Sequence, residues 1–259
     1  MYSAKFEIDI ISALSSQLES AFDKLTKGKL TSAILDTLDA SQGIYQLYYA
    51  GSLVYVGKAE NLPARLREHR LKLNGRLGIS ADEVDFKCLY VHENWTTLAP
   101  EISMIRHYKT KSSGLCEWNG NGFGPHDPGR NREVTNKAPD GFDMRYPINK
   151  EWPCTWVVAG KWKVLDLLVT LKDSKRLPFL LRYETEYLGG TRYADYRRGH
   201  PDHRTSTVIV PLTGMPALEL LQLITRALPG WQSTAFPSHM ILYKESSVYR
   251  HGMLIHYEP

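Results

Sequence analysis

The sequence predicts an α+β fold: a small antiparallel β-sheet flanked by helices, followed by a C-terminal mixed α/β domain. Three observations predict it. Two tyrosine-rich apolar runs, Gly43 to Tyr49 and Leu53 to Val56, are separated only by Ala50-Gly51-Ser52, the pattern of a tight hairpin. A third run, from Val84 to Val91, alternates Val84, Phe86, Cys88 and Tyr90 with other residues, as a half-buried strand does. Between and beyond these runs, Leu62, Leu66 and Leu73, and then Glu101, Ile105 and Tyr108, recur at helical spacing.

With 259 residues the chain has room for one large domain or two smaller ones. The reading divides it into a helical support region over 1–40, a domain over 41–153 and a C-terminal α/β domain over 154–259, whose role in recognition, dimerisation or regulation stays open. A net charge of +4 and a pI near 8.8 permit nucleic acid as a partner without demanding it. Cys88, Cys116 and Cys154 are scattered and odd in number, which suggests neither a disulfide framework nor a zinc site. Lys5, Glu7 and Asp9 interrupt the N-terminus, and no run approaches the ~18 apolar residues of a membrane span, so a soluble cytoplasmic chain without a signal peptide is expected.

In chain order, Ile11, Leu14, Leu18, Phe22 and Leu25, then Leu30, Ile34 and Leu38, predict two amphipathic helices. In the hairpin, a three-residue connection from Ala50 to Ser52 would pair Tyr49 with Leu53, Leu47 with Tyr55 and Tyr45 with Gly57, placing Tyr45 and Tyr55 on one face. A two-residue connection would put them on opposite faces. Asn61 suits an N-cap and Pro63 a first turn, so a helix starts there and carries Arg65 and His69, four apart, beside the leucine stripe. From Lys58 to Arg76 there are six Lys/Arg against two acidic residues, a surplus that attracts phosphates if it lines one face.

Thr96 or Thr97 opens the next helix, and Glu101 sits within its apolar stripe of Leu98, Ile105 and Tyr108. A buried unpaired carboxylate costs several kcal/mol, about 2–7 for a polar group, so Glu101 needs a cationic partner. Either a salt bridge to Arg or Lys or a hard divalent metal fits. The stretch from Glu117 to Arg132 is rich in glycine and proline and reads as a long loop. Farther on, strands are expected over Cys154 to Ala159, Phe179 to Tyr183 and Thr205 to Leu212, with helices over Trp162 to Leu171 and Ala217 to Leu228. His239 to Tyr243 and Val248 to Tyr257 are expected to form a final strand pair. Between them, Gly189 to Arg204 interleaves Arg192, Arg197, Arg198 and Arg204 with tyrosines, which suits DNA contact or a merely solvated loop. His200 and His203 have a spacing tolerable for metal but no second ligand pair.

Gly43-Ile44-Tyr45, Tyr55-Val56-Gly57, Arg65, His69, Glu101 and Trp118-Asn119, in that order, resemble the GIY-YIG nuclease family, with Val56 a conservative departure from its isoleucine. The run Gly-Phe-Gly-x-His-Asp-Pro-Gly-x-x-Arg, Gly122 to Arg132, is similar to the branch that comprises type II restriction endonucleases. The resemblance covers roughly residues 41–153 and implies a GIY-YIG fold and a metal-dependent endonuclease of double-stranded DNA. On it, Glu101 binds Mg2+ (or Mn2+) and Arg65 the phosphate. Tyr45 serves as general base with Tyr55 and His69 orienting water or phosphate, His69 being the alternative base because free imidazole titrates near 6.5 and phenol near 10. Lys58 would depress the phenol pKa, and Asn119, with Asn121 as competitor, would support the glutamate or the phosphate. Arg130, Arg132 and His126 would lie near DNA. Cutting both strands at a palindrome implies a homodimer on DNA, and a restriction enzyme has a cognate DNA methyltransferase as counterpart. The alternatives are a low-specificity defence or repair nuclease and a non-catalytic DNA-binding regulatory protein.

Overall fold

A computed structural model describes residues 10–92, 100–112, 114–124, 133–134, 141–173, 175–188, 191–192 and 195–259. Packing groups the chain into two compact units, 1–70 with 80–124 and 71–79 with 125–259. The segment 141–153 therefore packs with the C-terminal residues, and Ile148 lies in their core. No helix among the described residues is long and apolar enough to cross a membrane.

The first unit is α+β, as expected. Its elements are α1 (Ile10–Asp23), β1 (Gly28–Lys29), α2 (Ser32–Leu35), β2 (Gly43–Tyr49), β3 (Ser52–Ala59), the start of α3 (Leu62–Asn74), β4 (Val84–Tyr90) and α4 (Pro100–Lys111). The antiparallel sheet has the order β1-β4-β2-β3. Of the two N-terminal helices expected, only α1 forms at length. Gly28 and Lys29 instead pair with Phe86 and Asp85, and α2 is a single turn that buries Leu35. Ile44, Leu53 and Val56 on one sheet face pack with Leu18 and Phe22 of α1 and with Met104 and Tyr108 of α4. Within that layer Tyr48 donates to Gln46 Oε1 and Gln46 Nε2 donates to the Tyr108 hydroxyl, so the buried amide is satisfied.

The hairpin differs from expectation in an instructive way. Tyr49 pairs with Ser52, so the turn is Ala50-Gly51 alone, and both residues have positive φ (48° and 82°), the geometry that follows strand twist. By itself this turn would put Tyr45 and Tyr55 on opposite faces. A bulge restores the register, because Tyr48 pairs with Leu53 and Leu47 with Tyr55, leaving Val54 as the extra residue. Beyond it Tyr45 faces Gly57, as the three-residue reading required. On α3, Asn61 Oδ1 accepts the Ala64 N–H at 2.9 Å, and Leu62, Leu66 and Leu73 are buried.

In the second unit follow α5 (Phe142–Arg145), β5 (Gly160–Lys163), α6 (Val164–Leu171), β6 (Leu180–Tyr183), β7 (Tyr187–Leu188), β8 (Thr191–Arg192), α7 (Pro201–Thr205), β9 (Thr207–Val210), α8 (Ala217–Arg226), β10 (Trp231–Ala235), β11 (His239–Tyr243) and β12 (Met253–Glu258). One mixed sheet has the order β12-β10-β11-β6, with β6 parallel to β11, and β5 pairs with β9. Two expectations are corrected here. The segment from Cys154 to Ala159 is not a strand but a series of backbone-bonded turns before β5. The last two strands do not pair with each other, since β10 lies between them. Arg76 is buried with Asp143 at 2.9 Å and also donates to the carbonyls of Tyr146 and Pro237.

Two measurements follow from these local geometries. Ala50 pays for a left-handed conformation that asparagine tolerates, so Ala50→Asn should raise stability by about 0.5–1 kcal/mol in chemical denaturation. His203 is buried at 0 % exposure and its imidazolium is disfavoured first by burial and then by His200, which pushes its pKa down to about 3. The unfolded chain, titrating near 6.5, binds the proton first. Stability is therefore expected to be full above pH 6.5 and to fall as the pH drops towards 3, with a shallower decline in His203→Gln.

Candidate active site

The second face of the first unit's sheet holds Tyr45 on β2 and Tyr55 and Gly57 on β3. Tyr45, Tyr55 and His69 are all buried, at 1, 4 and 2 % exposure. Gly57 decides how close they come. A methyl group there would overlap the Tyr45 ring and hydroxyl and stand 2.8 Å from Tyr55 Cε1, so the two phenols lean over the place a side chain would fill. Their ring centroids are 6.1 Å apart. Gly43 has a similar constraint, because a Cβ would meet the Leu89 carbonyl of β4 and the Leu62 side chain of α3.

α3 presents His69 and Arg65 to this pair. The Tyr45 hydroxyl and His69 Nε2 are 2.6 Å apart, and the imidazole centroid is 5.3 Å from that of Tyr55. Arg65 is near enough for its charge to act on both phenols and forms an ion pair with Glu68 at 2.5 Å. Glu101, in the first turn of α4, is near enough for its charge to act on both phenols. α4 is held in place by its packing on α1 and by Glu19, which accepts from Lys111 and sits 2.8 Å from His107 Nε2.

The electrostatics oppose easy ionisation. Burial raises the Tyr45 pKa well above its ordinary value, and the neighbouring Tyr55 adds to this, while Arg65 pulls the other way. Tyr55 is raised too, by burial and then by Glu101. Arg65 keeps its charge securely, because Tyr45 and Glu68 outweigh the burial that disfavours it. The arrangement is a pair of neutral phenols between a guanidinium and a carboxylate, with an imidazole nitrogen on one hydroxyl.

The structure thus brings Tyr45, Tyr55, Arg65, His69 and Glu101 together. Asn119 has a different occupation. Its Oδ1 accepts the Val56 N–H at 2.9 Å and its Nδ2 donates to the Val56 carbonyl at 2.8 Å, so both polar atoms are spent on the β3 backbone. With the N–H groups of Cys116 and Trp118 bonded to the carbonyls of Leu53 and Val54, this loop covers the open edge of β3. Asn121 donates to the Glu117 carbonyl. Lys58 follows Gly57 and so falls on the strand face opposite Tyr55.

Arg130, Arg132 and His126 lie outside the described residues, as does the Arg192 side chain. Arg197 and Arg198 are exposed in a 3-10 turn of the second unit, with Arg197 5.1 Å from the Tyr196 ring centroid. His200 and His203 are capping groups: His200 Nδ1 accepts the Asp202 N–H and His203 Nδ1 the His200 N–H.

Phe123 was not singled out in the sequence. It stacks on His69 at 4.7 Å and 14°, meets the Tyr55 ring edge-on at 5.2 Å and rests on Trp118 at 4.9 Å. One aromatic residue among the glycines of 120–124 was the available signal.

For a cation, the donor set is hard oxygen: one carboxylate beside two phenols. Among the described residues no group of three or more His, Cys, Asp or Glu could hold an ion.

Among known proteins, the family model for the GIY-YIG catalytic domain matches residues 41–113. That stretch contains Tyr45, Tyr55, Arg65, His69 and Glu101 and ends before Asn119 and Phe123. None of the curated proteins compared matches the chain.

Because Gly57 admits the two phenols, Gly57→Ala should cost about 1–3 kcal/mol in overpacking and displace both rings. Loss of the Tyr45–His69 hydrogen bond, seen as a shift of the His69 ring NMR signals in a still-folded variant, would check it.

Proposed function

We propose, from the match of residues 41–113 to the GIY-YIG catalytic domain, that the chain is a metal-dependent endonuclease of double-stranded DNA, a type II restriction enzyme acting as a homodimer. The observation that carries the reading is the convergence of two phenols, an imidazole, a guanidinium and a carboxylate on one sheet face.

Phosphodiester hydrolysis requires a deprotonated water, charge stabilisation at phosphorus and help for the leaving 3′-oxygen. Arg65 provides a permanently charged, planar donor set for the phosphate oxygens. Tyr45 takes the proton of the attacking water at its hydroxyl oxygen while passing its own proton to His69 Nε2, so no free phenolate is needed despite the raised phenol pKa. Hydroxide then attacks phosphorus as the bond to the 3′-oxygen breaks; the leaving oxygen takes up a proton from solvent and the imidazolium releases its own to solvent, so that one water is added across the ester. Tyr55 orients the water or phosphate, and Phe123 keeps the imidazole plane fixed during the transfer. Glu101 would hold Mg2+ or Mn2+, which when bound supplies positive charge to the phosphate and the leaving oxygen. In this reading Asn119 contributes by fixing the β3 edge rather than by touching phosphate.

One such site per domain makes a two-fold dimer the simplest way to cut both strands. The exposed Arg197 and Arg198 beside Tyr196 suit phosphate contact in the second unit. A cognate methyltransferase would protect the host site.

The experiment is digestion of plasmid DNA by the purified protein with Mg2+. Discrete bands are expected; a smear would indicate a low-specificity nuclease, and intact plasmid would refute nuclease activity. Glu101→Gln and Arg65→Ala should each lower single-turnover cleavage by about 100-fold or more, and full activity in both would refute the assigned site.

A further inference from the structure

In the second unit, Trp152, Pro153, Thr155, Trp156 and Arg176 line an open pocket of about 570 Å3. We propose that this pocket binds a nucleotide, with the base stacked on an indole and the phosphate on the Arg176 guanidinium.

The walls are fixed before any ligand arrives. Trp152 Nε1 donates to the Arg176 carbonyl at 3.2 Å and Trp156 Nε1 to the Thr170 carbonyl at 2.9 Å, so both indole N–H groups are spent on backbone and the ring planes are held. Both rings are half-buried against the core of the unit, which leaves part of each to solvent. The intervening backbone is tied down by the Cys154 N–H on the Met215 carbonyl and the Ala217 N–H on the Trp152 carbonyl, each at 3.0 Å. Such preordering lowers the entropic cost of binding.

The lining selects the ligand's chemistry. Two indoles favour a planar ring system, because stacking needs only a π-face. Arg176 is exposed, and its ion pair with Asp173 runs through Nε, so its two terminal nitrogens remain for a bidentate anion. A neutral aromatic ligand would leave the guanidinium unused. A planar ring carrying a phosphate uses both features, and the volume lies within the range of small-molecule sites, about 300–1,000 Å3.

The nucleotide has two sources, a free mononucleotide or one residue of a DNA strand. Only the second rests on the nuclease reading. Protein labelled with 15N at its indoles is titrated with 2′-deoxyadenosine 5′-phosphate, with 2-deoxyribose 5-phosphate, and with a short single-stranded oligonucleotide. The Trp152 and Trp156 signals are assigned through Trp152→Phe and Trp156→Phe. Both base-bearing ligands should shift these two signals, the sugar phosphate should not, and Arg176→Gln should weaken binding roughly tenfold with an unchanged melting temperature. Tighter binding of the oligonucleotide than of the mononucleotide identifies a DNA strand as the source; equal or weaker binding identifies the free nucleotide. Silent indoles, equal shifts with the sugar phosphate, or undiminished binding by Arg176→Gln would overturn the proposal. Protein that binds the mononucleotide here yet leaves plasmid intact refutes the nuclease reading alone.

Discussion

Everything at the candidate site depends on the absence of one side chain. Gly57 leaves a hollow on β3, and the rings of Tyr45 and Tyr55 fill it, one from the facing strand and one from the same strand two residues back. A side chain at this position would push both rings aside. The bulge at Val54 is the second half of this constraint. It converts a two-residue turn, whose twist suits the strands, into a register that sends both phenols the same way. A sheet without the bulge would keep the turn and lose the pair.

Around this fixed pair the remaining groups are positioned by longer-range packing. α3 is anchored by its leucine stripe and started by the Asn61 cap, which sets where Arg65 and His69 fall. α4 is anchored on α1 through Met104 and Tyr108, which sets where Glu101 falls. The energetic cost is paid in ionisation: burial makes both phenols reluctant acids, and Arg65 and Glu101 act on them in opposite senses. A neutral phenol bonded to an imidazole is suited to passing a proton on rather than to storing charge. Asn119 and Phe123 belong to the same economy of position, one sealing the strand edge and the other clamping the imidazole.

Much of the first unit was legible because its signals are local. The hairpin, the Asn61 cap and the Leu62–Leu66–Leu73 stripe follow from neighbours a few residues apart. The turn length did not follow, since Ala50 at positive φ hides a two-residue turn behind an ordinary residue. Leu30, Ile34 and Leu38 mimic a helix, but the segment is governed by pairing of Gly28 and Lys29 with residues nearly sixty positions away. In the second unit, β10 was missed because Gln232, Ser233 and Thr234 look like loop residues. All three are buried, with Gln232 bonded to Ser247 and Thr234, and Ser233 to Thr225. Phe123 stood out only as an aromatic residue among glycines, and its place on His69 comes from the folded loop.

In the proposed reaction Tyr45 and His69 act as one proton-transfer unit held over Gly57. A double-mutant cycle on single-turnover DNA cleavage, using Tyr45→Phe, His69→Gln and the pair together, tests it most directly. The expected result is a double variant no slower than the slower single variant. Rate losses that multiply would show that the two residues work independently and would contradict the claim.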